Sequence, residues 1–219
     1  MSILVSDVIE KIEEDIVFGQ RRPRERLVED DLLVQFKAKK HVIREALTSL
    51  ERMGLVEKPK NKGAQVRDYP PDDVKQIFIV RKLLETEAAR IMPLPMDQNV
   101  LHGIKKIQKS HFEAVKNNNL KISFRSNIEF YQLLFSACGN SYLADVIKSL
   151  ALKSLAIKFF SFANPELLQR ALINHQTIVQ SLENSDRDSL IKVCSEHLEA
   201  CMTSYLDEHE NFFGTKMYY

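Results

Sequence analysis

The sequence predicts a mainly α-helical protein in two parts: an N-terminal winged helix-turn-helix with a small β wing, and a C-terminal all-α helical bundle. Three observations predict it. Two segments with helical spacing, separated only by Lys37-Ala38-Lys39, run directly into a glycine-containing basic hairpin. The pair Pro70-Pro71 then interrupts the chain, because proline continues neither a strand ladder nor a helix interior. Beyond it helical periodicity persists and strand-like alternation is absent. The expected boundaries are residues 1–69 for the head, 70–76 for a linker and 77–219 for the helical domain, long enough for a core of its own.

Within the head, one helix runs from about Glu29 to Phe36, with Asp30 and Asp31 in its first turn, where negative charge suits the helix macrodipole. After the turn at 37–39, Val42, Ile43, Ala46, Leu47 and Leu50 form one apolar stripe committed to the interior. Gly54 supplies the left-handed residue that stops this second helix. Lys39, Lys40, His41 and Arg44 are thereby left facing outward at its start, where such a helix enters a major groove. The hairpin follows, with Lys58-Pro59-Lys60-Asn61-Lys62-Gly63 between Leu55-Val56 and Ala64-Gln65-Val66. From Lys37 to Arg67 nine cationic residues face only Glu45, Glu51 and Glu57, a surplus of six positive charges able to displace counterions from phosphates. The whole chain, at a formal net charge of +1, carries no such signal.

In the second part, Asp72 and Asp73 favour a helix start, and Ile77, Phe78, Arg81, Leu84, Glu85 and Ala88 keep helical spacing up to Met92-Pro93. Further helices are expected near Val100 to Val115, Lys121 to Cys138, Tyr142 to Phe162, Pro165 to Leu182 and Ser185 to Glu208, about six in all. Gly139-Asn140 suits a C-terminal stop, and Ser185-Asp186-Arg187-Asp188 suits an N-terminal cap. Lys116-Asn117-Asn118-Asn119 reads as a loop. His175 and His197 each sit on an apolar helical stripe and should face inward. Taken singly each is a hydrogen-bonded core residue; taken together they line a cavity. His102, His111 and His209 have polar neighbours and are expected at the surface. Phe159-Phe160-Ser161-Phe162 is a dimer contact, a lid or ordinary core.

Several function classes are disfavoured. Three cysteines, Cys138, Cys194 and Cys201, have no zinc-site spacing and an odd count, which argues for core packing in a reducing, cytoplasmic compartment. The start of the chain lacks a signal-peptide pattern, and no apolar run is long enough to span a bilayer. There is no phosphate-binding glycine loop, nucleophile elbow or paired-histidine zinc motif, so an enzyme is not expected.

The head resembles the GntR family of bacterial repressors. The resemblance is carried by Gln20-Arg21-Arg22-Pro23-Arg24-Glu25-Arg26-Leu27-Val28-Glu29, by Arg44-Glu45-Ala46-Leu47 and by Leu50-Glu51-Arg52-Met53-Gly54-Leu55-Val56. It implies DNA contacts at Arg24, Lys40, Arg44, Lys62 and Gly63, joined by Lys39 and His41 from the helix start. Where the family usually reads Gly-Val-Ser-Arg-Thr-Pro, this chain has Lys37-Ala38-Lys39-Lys40-His41-Val42. Lys40 lacks the fork with which arginine grips guanine, so a different operator half-site is expected.

The second part resembles the FCD effector domain of the FadR subfamily, through Arg81-Lys82-Leu83-Leu84-Glu85, Asn127-Ile128-Glu129-Phe130-Tyr131, Ala137-Cys138-Gly139-Asn140, His175 and His197. In many members an Asp, a His one turn later and two further His hold a divalent metal inside the bundle; the corresponding positions here are Asn127, Tyr131, His175 and His197. An amide and a phenol bring no negative charge readily at neutral pH. The expectation is therefore an effector pocket walled by Arg81, Asn127, Tyr131, His175 and His197, with zinc, nickel or manganese on His175 and His197 as the alternative. Arg81 either pairs with an effector carboxylate or forms a buried pair with Glu85.

The combined expectation is a homodimeric regulator that meets a palindromic operator in double-stranded DNA, with affinity controlled by a small organic acid. A constitutive DNA-binding dimer with a decayed pocket is one rival. A metal-dependent sensor or enzyme built on His175 and His197 is the other.

Overall fold

The computed structural model describes residues 3–60, 62–155, 157 and 164–213, for 211–213 the backbone alone. By internal packing they form two units, Met1–Pro70 with Leu152–Phe160, and Pro71–Ala151 with Ser161–Tyr219.

The first unit opens with α1, Val5–Val17, which buries Val8, Ile12, Ile16 and Val17. Helices α2, Glu29–Phe36, and α3, Lys40–Arg52, follow with the expected turn between them. Lys37 closes α2 in the left-handed conformation at φ 49°. On α3 the five residues of the apolar stripe are all buried, against α1, α2 and the wing. A compact apolar centre thus fixes which side of α3 faces out. The wing is an antiparallel pair, β1 at Val56–Glu57 and β2 at Gln65–Val66, with Val56 opposite Val66. Its second edge pairs with the segment before α2, through Leu27 N–H to Ala64 O at 2.8 Å and Val66 N–H to Glu25 O at 2.9 Å. Gly54 ends α3 at φ +78°, and the Tyr69 hydroxyl donates to its carbonyl at 3.1 Å.

The second unit holds seven helices among the described residues: α4 Pro71–Ile91, α5 Gln98–Lys116, α6 Leu120–Ser136, α7 Ser141–Lys153, α8 Pro165–Glu183, α9 Arg187–Glu196 and α10 Glu199–Phe213. α5 lies against α6 and α8, and α9 against α4 and α8. Their shared core includes Ala88, Met92, Ile104, Phe130, Leu134, Ile178, Leu182, Leu190 and Cys194. Side-chain caps start three of the helices: Asp97 accepts from Asn99 and Val100, Asn164 from Glu166 and, at the cap expected from sequence, Asp186 from Ser189.

Four expectations need correction. Residues 71–76 are the first turns of α4 rather than a linker, since proline is well suited to the first helical position, where its missing N–H costs nothing. The helix expected from Tyr142 to Phe162 ends at Lys153 and passes into a turn at Ser154-Leu155; the Phe159–Phe162 run lies outside the described residues. The helix expected from Ser185 to Glu208 is two helices, parted at His197-Leu198. His111 and His209, expected at the surface, are each 1% exposed.

Candidate functional site

The basic face of the head is built as its stripe requires. With Val42, Ile43, Ala46, Leu47 and Leu50 turned inward, Lys39, Lys40, His41 and Arg44 are exposed along the first turns of α3. Lys62 and Gly63 are exposed at the wing tip, where Gly63 takes φ +74°. Between α3, the start of α2 and the wing lies a cleft of about 550 Å³, lined by Arg26, Arg44, Lys58 and Lys62, with Glu29 the one acid among its described lining residues.

Local ion pairs hold several of these cations. Arg44 Nε donates to both carboxylate oxygens of Glu29, at 3.0 and 3.3 Å. Lys58 meets Glu51 at 3.0 Å. Arg24, at φ 66°, directs Nε and Nη2 onto Asp68 Oδ2 at 2.7 and 2.6 Å. Arg24 is thus exposed, but a phosphate reaching it shares its guanidinium with Asp68.

In the helical unit the structure brings together four of the five residues expected to wall a pocket. Arg81 on α4 gives Nε and Nη2 to Glu85 Oε1, at 2.8 and 2.7 Å. Glu85 Oε2 lies 2.7 Å from His197 Nε2 at the end of α9. The Tyr131 ring stacks on His197 with centroids 4.5 Å apart and meets His175 edge-on at 5.3 Å. Asn127 is buried one turn before Tyr131 on the same helix.

Two residues of this centre were not singled out as pocket residues from sequence. Glu85, fully buried, is the anion that both Arg81 and His197 engage. Its helical offset of four from Arg81 was visible; its bond to His197, far along the chain, was not. His111 packs its ring 4.7 Å from that of His175, and its Nδ1 lies 3.0 Å from Ser123 O and 3.2 Å from Ser126 Oγ. It stands in phase with Leu101 and Ile104 on α5, a signal that its polar neighbours obscured. Phe130 stacks on the His175 ring with centroids 3.8 Å apart.

The electrostatics follow from this packing. Burial works to raise the Glu85 carboxyl, but Arg81 and His197 together outweigh it and hold the group below the usual carboxylate range. Burial, reinforced by Cys194 and Glu85, pushes the Tyr131 phenol well above its ordinary value, so it is neutral. Burial likewise raises the Cys194 thiol, with Glu85 adding to the effect.

These residues do not fit the metal that the family resemblance implies. Tyr131 places a neutral aromatic ring against both His175 and His197, and Glu85 engages the Nε2 of His197. Among the described residues no group of three His, Cys, Asp or Glu is placed to hold a metal ion. Nor is any described helix long and apolar enough to cross a membrane.

Comparison with known proteins bears directly on both units. Residues 4–66 match the profile described as bacterial regulatory proteins, gntR family, and residues 76–200 match the FCD domain. The chain is 23% identical over 188 residues to the HTH-type transcriptional repressor RspR of Escherichia coli strain K12, covering 84% of this chain and 81% of that one. It is 23% identical over 215 residues to the HTH-type transcriptional regulator LutR of Bacillus subtilis strain 168, covering 87% and 97%. Among solved structures, E. coli McbR/YncC superposes with a TM-score of 0.77 at 16% identity, over 95% of this chain and 100% of the other. A GntR regulator from Rhodococcus sp. RHA1 gives 0.75 at 18%, over 93% and 97%. The two family models lie one on each unit and together span most of the chain, and the chain belongs to the GntR family of transcription regulators with an FCD domain.

Proposed function

We propose that the chain is a homodimeric, cytoplasmic, non-enzymatic regulator that reads a palindromic operator through α3 and the wing and responds to a small molecule held in its helical unit. The observation that carries the DNA part is the exposed row Lys39, Lys40, His41 and Arg44 on the face of α3 opposite its buried stripe, with Lys62 and Gly63 beside it. Arg24 contributes from the flank. Two-fold pairing follows from specificity, because one short helix reads too few base pairs alone.

The effector part is supported by the polar centre of Arg81, Tyr131, His175 and His197, joined by Glu85, with Asn127 buried one turn before Tyr131 on α6. Arg81 is already paired, so an organic acid bound there takes the place of the Glu85 carboxylate on the same guanidinium. That exchange leaves Glu85 with His197 as its partner, across α4 and α9, and so gives the effector different affinities for two arrangements of the bundle. Release from DNA is the proposed direction. Gain of a metal at His175 and His197 is not supported, for the reasons of donor chemistry given above.

The test is fluorescence anisotropy with labelled promoter duplexes across salt, repeated with a panel of small organic acids. Affinity should fall by about a thousandfold or more between low and moderate salt if some six phosphates are contacted per dimer. At least one acid should both raise the melting temperature and shift DNA affinity. Absence of duplex binding at low salt would sink the DNA assignment; unchanged melting and binding with every acid would sink the effector assignment alone.

A further inference from the structure

We infer that Glu29 is a specificity-determining residue of the head: it positions the Arg44 guanidinium for two-pronged recognition of a base edge, while its charge weakens contact with duplex in general. The inference rests on the DNA-reading assignment of α3 above.

Of Lys39, Lys40, His41 and Arg44, only Arg44 carries the planar fork that matches a guanine edge; lysine is a point charge on a flexible stem. A fork discriminates between bases only if its plane is fixed. The hydrogen bonds that hold Arg44 both use Nε, one to each carboxylate oxygen of Glu29, so the terminal Nη1 and Nη2 retain their N–H groups for the duplex. Glu29 is itself anchored as the first residue of α2, where the helix N-terminus favours a carboxylate. The pair is open to solvent, with the Arg44 side chain 60% exposed and that of Glu29 36% exposed. Ion pairs so exposed contribute little to folding. Stability therefore does not account for an acid set within a cationic cleft, where it repels phosphate. Orientation of the fork does.

The test begins with duplexes selected by the wild-type protein from a randomised pool. Affinities are then measured for the selected duplex, for versions with each G·C pair inverted in turn, and for a scrambled duplex. Wild type and the variants Glu29→Ala, Glu29→Gln, Arg44→Ala and the double variant Glu29→Ala/Arg44→Ala are compared, with melting curves to verify folding. Glu29→Ala should bind scrambled duplex about two- to threefold more tightly, as one repulsive charge is lost. It should lose at least about fivefold of its discrimination at one base position and keep it at the others. Arg44→Ala should lose discrimination at that same position, and the double variant should lose no more. Glu29→Gln, which keeps an acceptor oxygen for Nε, should recover part of the preference.

If Glu29→Ala tightens binding uniformly and retains discrimination at every position, the positioning role is overturned while the DNA assignment stands. If wild type enriches no sequence, the DNA assignment itself has failed.

Discussion

The head and the helical unit handle charge in opposite ways. In the head the ions are at the surface: the Lys58–Glu51 pair is wetted and easily exchanged for phosphate, and the Arg44–Glu29 pair, through Nε alone, leaves both terminal nitrogens of Arg44 open to the duplex. In the helical unit Arg81 and Glu85 are withdrawn from water at 7% and 0% side-chain exposure, and their bonds are mutually required. Surface pairs are worth little to stability and can be spent on recognition. A buried ion, once separated from its partner, is strongly destabilising. The same residue types therefore serve as solvent-open contacts in one unit and, in the other, as a buried strut that yields only to a ligand supplying a carboxylate of its own.

The sharpest way to break this comparison is Glu85→Ala. It strands Arg81 and His197 in the interior and should lower unfolding free energy by about 3–5 kcal/mol, read from urea denaturation monitored by circular dichroism. A loss comparable to that of an exposed pair would show that the strut is not one. Acid titration sharpens the point. Because the folded Glu85 carboxyl lies below its unfolded value, its stabilisation is present above the ordinary carboxylate range and is lost as pH falls through the lower folded value. Glu85→Gln should remove that acid-side contribution to the pH dependence.

A smaller effect is expected at Gly54. Its φ of +78° disfavours any side chain, and an added Cβ would lie 2.7 Å from the Tyr69 hydroxyl. Gly54→Ala should destabilise the head by about 1–2 kcal/mol from the backbone alone, seen as a lower melting temperature. The smallest effect is a null one. Zinc, nickel or manganese added to wild type, or chelator, should leave the melting temperature within error, since the centre offers a neutral phenol and an engaged imidazole. One tightly held equivalent of metal by elemental analysis would contradict that.

The two units also differ in how far they could be read from sequence. In the head, α2, the turn and α3 fall where spacing and turn residues place them, because the signals act within a few residues: a stripe, an acidic first turn, a glycine stop. In the bundle, helix existence was legible and helix ends were less so. No glycine or proline marks the break at His197-Leu198, yet it ends α9 where His197 meets Glu85. His111 shows the same limit. Lys109, Ser110 and Glu113 stand close to it in sequence, and it is buried because Ser123 and Ser126 of α6 and His175 of α8 come up against it.

By itself the sequence determined the two-part architecture and the outward cationic face of α3, because each depends on residue identity and short-range periodicity; the family resemblance added that an amide and a phenol stand at positions 127 and 131 where metal donors are implied. Only the tertiary structure decided which acid holds Arg44, that Asp68 shares Arg24, and that Glu85 neutralises Arg81 while bonding His197. Those outcomes depend on which side chains meet across helices and loops after folding, and no local pattern encodes a partner fifteen, forty-four or one hundred and twelve residues away.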